Sequence, residues 1–274
     1  MLLTIPYLNL IVIVAIIFLM IAMFAIMYID TTKIKELKYT IKNNKVYKGI
    51  ETFKGFKIVF FSDLHIGKLK KKNELNKIVE LLKSYDADIY IFGGDLIGSN
   101  IKKHFTIQDV KESFDVLSNK CLISVYGNHE YKLEKNITLE EKIEYFKAMG
   151  FKILKDDGYT YYKNDKSLSI YGMNDYIYND VKMPIIKYDL IISHEGDIIE
   201  KINNQIMLSG HTHGGQIRLP IIPIFYKPKH GKKFTSGLHN VNSSSLIVSN
   251  GLGFNGIKVR FFAKRDIIII DYQK

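Results

Sequence analysis

The chain of 274 residues carries 39 Lys and Arg against 28 Asp and Glu, a formal charge of +11, and 47% of it is hydrophobic. That apolar content excludes a globally disordered chain, and the length fits one ordinary domain, with or without an appendage. A single cysteine, Cys121, excludes an internal disulfide framework and any cysteine-rich zinc module.

Only Arg218, Arg260 and Arg265 are arginines, so the positive charge is almost entirely lysine. Base readout and bidentate phosphate recognition favour arginine. The charge therefore argues for solubility and non-specific attraction more than for a nucleic-acid partner.

Leu10 to Ile29 are twenty consecutive apolar residues, with no charged side chain before Asp30. At about 1.5 Å per residue they predict a helix of roughly 30 Å, the thickness of a bilayer core. No polar face marks it as a helix of a soluble core. The absence of a basic n-region and of a small-residue cleavage site argues against a signal peptide. Residues 1–29 thus read as one retained transmembrane helix.

Lys33, Lys35, Lys38, Lys42, Lys45 and Lys48 follow it, whereas the N-terminal side carries only its α-amino group. The positive-inside rule then places the remainder in the cytoplasm, as a single-pass membrane protein. Residues 30–55 read as a polar connector with a short alternating strand, Leu37 to Ile41.

From residue 56 one pattern occurs five times: a short apolar run followed by small and metal-capable residues. Ile58–Phe61 leads into Asp63 and His65, Ile89–Phe92 into Gly94-Asp95, and Leu122–Tyr126 into Gly127-Asn128-His129-Glu130. Leu190–Ile192 leads into His194, and Ile206–Leu208 into Gly210-His211-Thr212-His213. These runs read as strands. Between the early ones lie helical patterns over Asn73–Ser84 and Ile107–Leu117, and Thr138 with Glu141 predicts a capped third helix.

Strand–helix alternation predicts an α/β fold with a largely parallel sheet. Beyond about residue 151, short strands predominate: Phe151–Leu154, Tyr159–Lys163, Leu168–Tyr171, Leu246–Ser249, Val259–Phe262 and Ile267–Tyr272. Two packed sheets with helices outside fit this pattern. No linker divides residues 56–274, which read as one catalytic domain.

Taken singly, each polar residue has a bland reading as a turn former or a satisfied histidine. Together they form an ordered set of carboxylates, imidazoles and one amide, all at predicted strand ends. Such a mixed N/O set suits Mn, Fe, Zn or a similar divalent ion. Here the sequence resembles the calcineurin-like metallophosphoesterases, whose motifs read D-x-H, G-D, G-N-H-D/E, H and G-H-x-H. The run Gly210–Gln216, together with Asn250–Gly253 and Arg260, resembles a bacterial membrane-anchored branch.

The resemblance implies an α/β/β/α sandwich and two divalent ions. Asp63, His65, Asp95 and His213 would hold one, and Asp95, Asn128, His194 and His211 the other. It implies a bridging hydroxide attacking phosphorus, with His129 serving the departing oxygen as the catalytic residue.

The implied activity is hydrolysis of phosphomonoesters or phosphodiesters on a phosphorylated small molecule or a lipid-linked, cell-envelope phosphate. A nuclease or nucleotide phosphodiesterase is the alternative enzyme. A catalytically silent, metal-stabilised membrane scaffold is the non-enzymatic one, and the intact ligand set speaks against it.

The Asp-Arg-Gly of protein phosphatases in this superfamily is missing after Asp95, so His129 has no assigned acidic partner. Glu195, just after His194, reads as a solvated loop residue, with a nearby carboxylate for the site as the alternative. Two lysine clusters, Lys68 with Lys70–Lys72 and Lys227 with Lys229, Lys232 and Lys233, read as solvated loops or a basic rim. Between them, Leu219–Tyr226 reads as a buried loop or a segment dipping into a bilayer edge.

Overall fold

The computed structural model describes residues 5–68, 72–98, 101–219, 224 and 227–274. Lys70, Lys71 and most of the Leu219–Tyr226 run lie outside the described residues.

The apolar run forms α1 (Ile5–Thr32). Between Asn9 and Ile29 its side chains are mostly exposed, and it is long and apolar enough to cross a membrane. Residues 30–55 are more than a connector. They contain β1 (Ile34–Lys42) and β2 (Lys45–Lys48), paired antiparallel through a turn in which Asn43 and Asn44 take positive φ.

The strand runs expected from the sequence become β3 (Phe56–Phe61), β4 (Ile89–Phe92), β5 (Cys121–Ser124), β9 (Leu190–Ile192) and β10 (Ile206–Ser209). The helices are α2 (Lys72–Ser84), α3 (Ile107–Phe114), α4 (Asn128–Tyr131) and α5 (Leu139–Ala148), and the remaining strands are β6 (Lys152–Ile153), β7 (Asp157–Lys163), β8 (Lys166–Gly172), β11 (Gly237–Val241), β12 (Ser244–Val248) and β13 (Arg265–Gln273).

One sheet has the order β2-β1-β13-β3-β4-β5-β6 and the other β11-β12-β10-β9-β8-β7. β3, β4, β5 and β6 run parallel, while β13 enters antiparallel to β3 and parallel to β1.

Alternation along β3 shows how the layers form. Ile58 and Phe60 point between the sheets with Ile89, Ile91, Leu190, Leu208 and Ile270. Val59 and Phe61 point the other way, onto the helices. On α2 the spacing of Leu75, Ile78, Val79 and Leu82 makes one buried stripe. Burying each such side chain contributes about 1.5–3 kcal/mol.

Thr138 caps α5: its hydroxyl accepts from Glu141 N while the Glu141 carboxylate accepts from Thr138 N. On the outer face of the second sheet, Ile198 and Ile199 of a 3₁₀ turn cover Met207, Leu246 and Val248. This is an α/β/β/α layering whose fourth layer is reduced to a tightened turn.

Val259–Phe262 is not a strand. Arg260 N donates to Thr31 Oγ1 at 2.9 Å and Phe262 N to Asp30 Oδ2 at 2.6 Å. These backbone donors go to the end of α1, and only the isolated bridge between Ile217 and Phe261 is sheet-like.

Candidate metal centre

Asp63 and His65 follow β3, Asp95 follows β4, and Asn128 and His129 open α4 just after β5. His194 follows β9, and His211 and His213 follow β10. Carboxyl ends of parallel strands point to one edge of a sheet, and loops meet there.

The backbone is strained to bring them in. Asp63, His65, Asp95, His211 and His213 all have positive φ, between 45° and 73°. Non-glycine residues in this region cost energy and persist where surrounding structure holds them. Here Asp63 N donates to Gly94 O at 2.9 Å, and His65 N to Asp95 O at 3.1 Å.

Among the described residues, three overlapping groups have donor atoms within 4.8 Å of one another: Asp63, His65 and His213; His65, Asp95 and His129; and Asp95, His194 and His211. Asp95 is the pivot. Its Oδ2 lies 3.2 Å from His194 Nε2 and 3.5 Å from His65 Nε2, and its Oδ1 accepts from His129 N at 2.8 Å. Asp63 Oδ1 lies 3.5 Å from His213 Nε2.

Carbonyls fix which nitrogen faces the cluster, since a carbonyl can only accept. His194 Nδ1 lies 2.7 Å from Gly93 O, and His211 Nε2 lies 2.9 Å from Lys229 O. That leaves His194 Nε2 and His211 Nδ1 facing inward, an arrangement seen around metal-binding imidazoles.

His211 Nδ1 and Asn128 Oδ1 are buried without a hydrogen-bond partner among the described residues. Buried orphans of this kind call for an ion or water. The donor set therefore fits divalent cations.

His213 differs. A donor faces its Nδ1: Arg260 Nη2, at 3.1 Å, while Nη1 donates to His213 O at 2.7 Å. Its Nε2 lies 3.1 Å from His65 Nε2. Since the guanidinium can only donate, Nδ1 accepts and the ring hydrogen sits on Nε2, so a ligand role at Nε2 requires that hydrogen to be given up.

Burial dominates the electrostatics. It holds His211 at about 3, helped by the charge of His194, and holds His213 well below the usual imidazole range with Arg260 adding to it. Asp63 is pushed up to about 6 by burial, with His194 opposing and Asp95 reinforcing. His194 goes the other way: burial would strip its proton, but Asp95 and Asp63 together hold it on. For Asp95, burial is outweighed by His194, His129 and His65, so its carboxyl stays well below the ordinary range.

Three supporting residues were not legible as such. The Glu130 carboxylate is buried and accepts from Asp95 N, Gly127 N and Ile97 N at 2.8–3.2 Å, clamping two strand ends together. Buried Lys142 on α5 donates to His129 O and Lys132 O. Arg260 is wholly buried and also donates to Gly253 O. For Glu130 a signal existed, since it closes the Gly-Asn-His-Glu run. For Lys142 none did.

Glu195 is not solvated. It is buried, and it accepts from Tyr176 N at 3.0 Å. His129 Nδ1 has no hydrogen-bond partner among the described residues.

Gly127 gives a steric prediction. A Cβ there would lie 2.3 Å from Asp95 Oδ1 and 2.8 Å from His194 Cε1. Gly127→Ala is expected to cost about 1–3 kcal/mol by overpacking and to disturb the pivot carboxylate. Urea unfolding checks it, and wild-type stability would contradict it.

Residues 56–215 match the family described as calcineurin-like phosphoesterase. The chain belongs to that family. It is a metal-dependent phosphoesterase by that membership, as the sequence resemblance implies.

Several relatives of this phosphoesterase extend the likeness beyond the matched region. It is 27% identical over 263 residues to the uncharacterized metallophosphoesterase YkuE of Bacillus subtilis, covering 88% of this chain and 86% of that one. An uncharacterized metallophosphoesterase of Aquifex aeolicus is 23% identical, covering 92% and 97%. The Escherichia coli protein named phosphodiesterase YaeI is 25% identical, covering 72% and 75%.

Proposed function

We propose that this phosphoesterase is anchored to a membrane by α1 and hydrolyses a phosphodiester or phosphomonoester using two divalent ions, drawn from Mn, Fe or Zn. The catalytic domain comprises residues 56–274. Residues 1–29 form the anchor, and 30–55 join the two while lengthening the first sheet. What supports this reading most is Asp95, whose Oδ2 lies 3.2 Å from His194 Nε2 and 3.5 Å from His65 Nε2, so one carboxylate stands between the two proposed ligand sets.

Asp63, His65, Asp95 and His213 hold one ion, and Asp95, Asn128, His194 and His211 the other. When bound, such ions would lower the pKa of water toward neutrality and offset charge on phosphoryl oxygens.

His129 stands beside both His65 and Asp95, its ring centroid 4.6 Å from that of His65. Burial keeps its pKa below the usual imidazole value, against the pull of Asp95. A neutral ring still carries one N–H, which donates to the departing oxygen or to a phosphoryl oxygen. Lys142 and Asp95 position that ring through the His129 backbone.

A phosphate ester on a lipid or a cell-envelope component suits a domain joined directly to a membrane helix. The lysines after α1 support a cytoplasmic side for the domain. Arg260 and Arg265 are both buried and bonded to backbone carbonyls, which removes them from nucleic-acid contact. That argues against the nuclease alternative.

The full chain in detergent is expected to carry about two ions and to hydrolyse a chromogenic phosphodiester. Fully loaded protein that hydrolyses neither a chromogenic diester nor a monoester would refute the reading.

Metal uptake has a predicted proton signature. The metal-free His194 is protonated near pH 7, and Asp63 becomes protonated below about 6. A cation must displace the first proton at neutrality and both in acid, so affinity falls as pH falls, and more steeply below about 6. Calorimetry in buffers of different ionisation enthalpy should record about one proton released from this pair near pH 7. Affinity that is flat from about pH 5 to 8 would contradict the assignment.

A further inference from the structure

α1 does not leave the domain through a loose tether. Its last turn is bonded to the loop that carries Arg260. Asp30 Oδ2 accepts from Phe262 N, Thr31 Oγ1 accepts from Arg260 N, and Arg265 donates to Thr31 O at 3.4 Å. The same loop is joined to the segment after His213, since Arg218 N donates to Phe261 O and Phe261 N to Gln216 O. The end of the apolar run therefore has a fixed position on the domain.

At this junction lies a cavity of about 480 Å³. Ile26 and Ile29 of α1 form one side, and Lys35, Arg218 and Lys264 face it together with the single carboxylate of Asp30. Lys264 Nζ stands 3.8 Å from Asp30 Oδ1. Among the described residues, the Arg218 guanidinium has no hydrogen-bond or ion-pair partner, unlike those of Arg260 and Arg265. A planar fork left unpaired beside two lysines suits a phosphate oxyanion.

The position selects the occupant. The cations sit level with the end of the apolar run, where lipid phosphates lie, and the isoleucines continue toward the acyl region. A soluble anion would have no use for that apolar wall.

We propose that this junction binds the phosphate of an anionic phospholipid, gripped by Arg218 with Lys264 and Lys35. The site is separate from the metal centre, and the inference rests on α1 spanning a membrane.

The test uses the full chain in non-ionic detergent with equal amounts of phosphatidylglycerol and phosphatidylcholine, with retained lipid counted by native mass spectrometry. The wild type is expected to retain phosphatidylglycerol about tenfold over phosphatidylcholine. R218Q/K264Q should fall to near parity while keeping its metal content and its hydrolysis of a soluble diester. R218Q alone should lose most of the preference, and it removes no contact that the fold uses. K45Q/K48Q, with the same charge loss on exposed β2, should keep the preference.

Parity in the wild type, an unchanged preference in R218Q/K264Q, or an equal loss in K45Q/K48Q would overturn the site. So would displacement of phosphatidylglycerol by millimolar inorganic phosphate, which would reassign it to a soluble anion. Cell fractionation separates the two levels. A chain recovered free of membranes refutes the anchor itself, whereas a membrane-bound chain with lipid parity refutes only this pocket.

Discussion

Asp95→Asn is expected to abolish measurable turnover and to strip metal from the protein. The carboxylate faces His194 and His65 with one oxygen and accepts the His129 amide with the other. An amide of the same shape can still accept from His129 N, so the fold should survive. What disappears is the negative charge that His194, His129 and His65 surround, and with it the second anionic oxygen for a shared cation. Removing an outer partner of a metal ligand already costs about 10–100-fold in affinity, so loss of the shared ligand should exceed that. Elemental analysis after dialysis, beside a diester assay, checks it. Wild-type metal content in a folded Asp95→Asn protein would refute the dinuclear assignment.

His129→Ala should behave in the opposite way, keeping both ions and losing rate. Its ring lies against His65, but the backbone amide, not the ring, binds Asp95. Alanine preserves that amide and the carbonyl that Lys142 grips. The rate should drop by about 10²–10⁴-fold, the range for a positioned proton or hydrogen-bond donor. The leaving group makes the test specific. An alkyl diester, whose departing oxygen needs help, should suffer more than a nitrophenyl diester, whose oxygen leaves as a stable anion. Equal losses for both would move His129 to the phosphoryl oxygens. Loss of metal in this variant would make it a ligand.

The two variants also separate the roles of neighbouring groups. Asp95 sets charge, and His129 supplies a hydrogen; only the first should alter proton release on metal uptake. Residues that touch the same centre without facing it, such as Glu130, should act mainly on stability. Glu130 holds the β4 and β5 ends together through three backbone amides, so its loss would leave buried donors unpaired.

Much of this architecture is legible in the sequence. Hydrophobic period and turn residues located β3, β4, β9 and β10, because strands buried on both faces read as short apolar runs. The α2 stripe and the Thr138 capping box were equally plain, since both are local patterns. Ligand-type residues stood out for a related reason: each follows its strand directly, so strand position and chemistry coincide in the chain. Val259–Phe262 misled because its apolar, β-branched composition matches a strand. Its backbone donors are taken by Asp30 and Thr31, more than two hundred residues earlier.

The sequence by itself determined the membrane-length helix, the two-sheet class and the residue types of the centre, because each depends on local composition and period. Only the tertiary structure decided which imidazole nitrogen faces inward, since that rests on Gly93 and Lys229 carbonyls brought from other loops. It alone buried Glu195, Lys142 and Arg260, whose charges would otherwise favour water. And it alone joined β1 to β13, making the stretch after α1 part of the sheet. Such partners are distant in the chain, and no local pattern encodes a contact whose two halves are assembled only by folding.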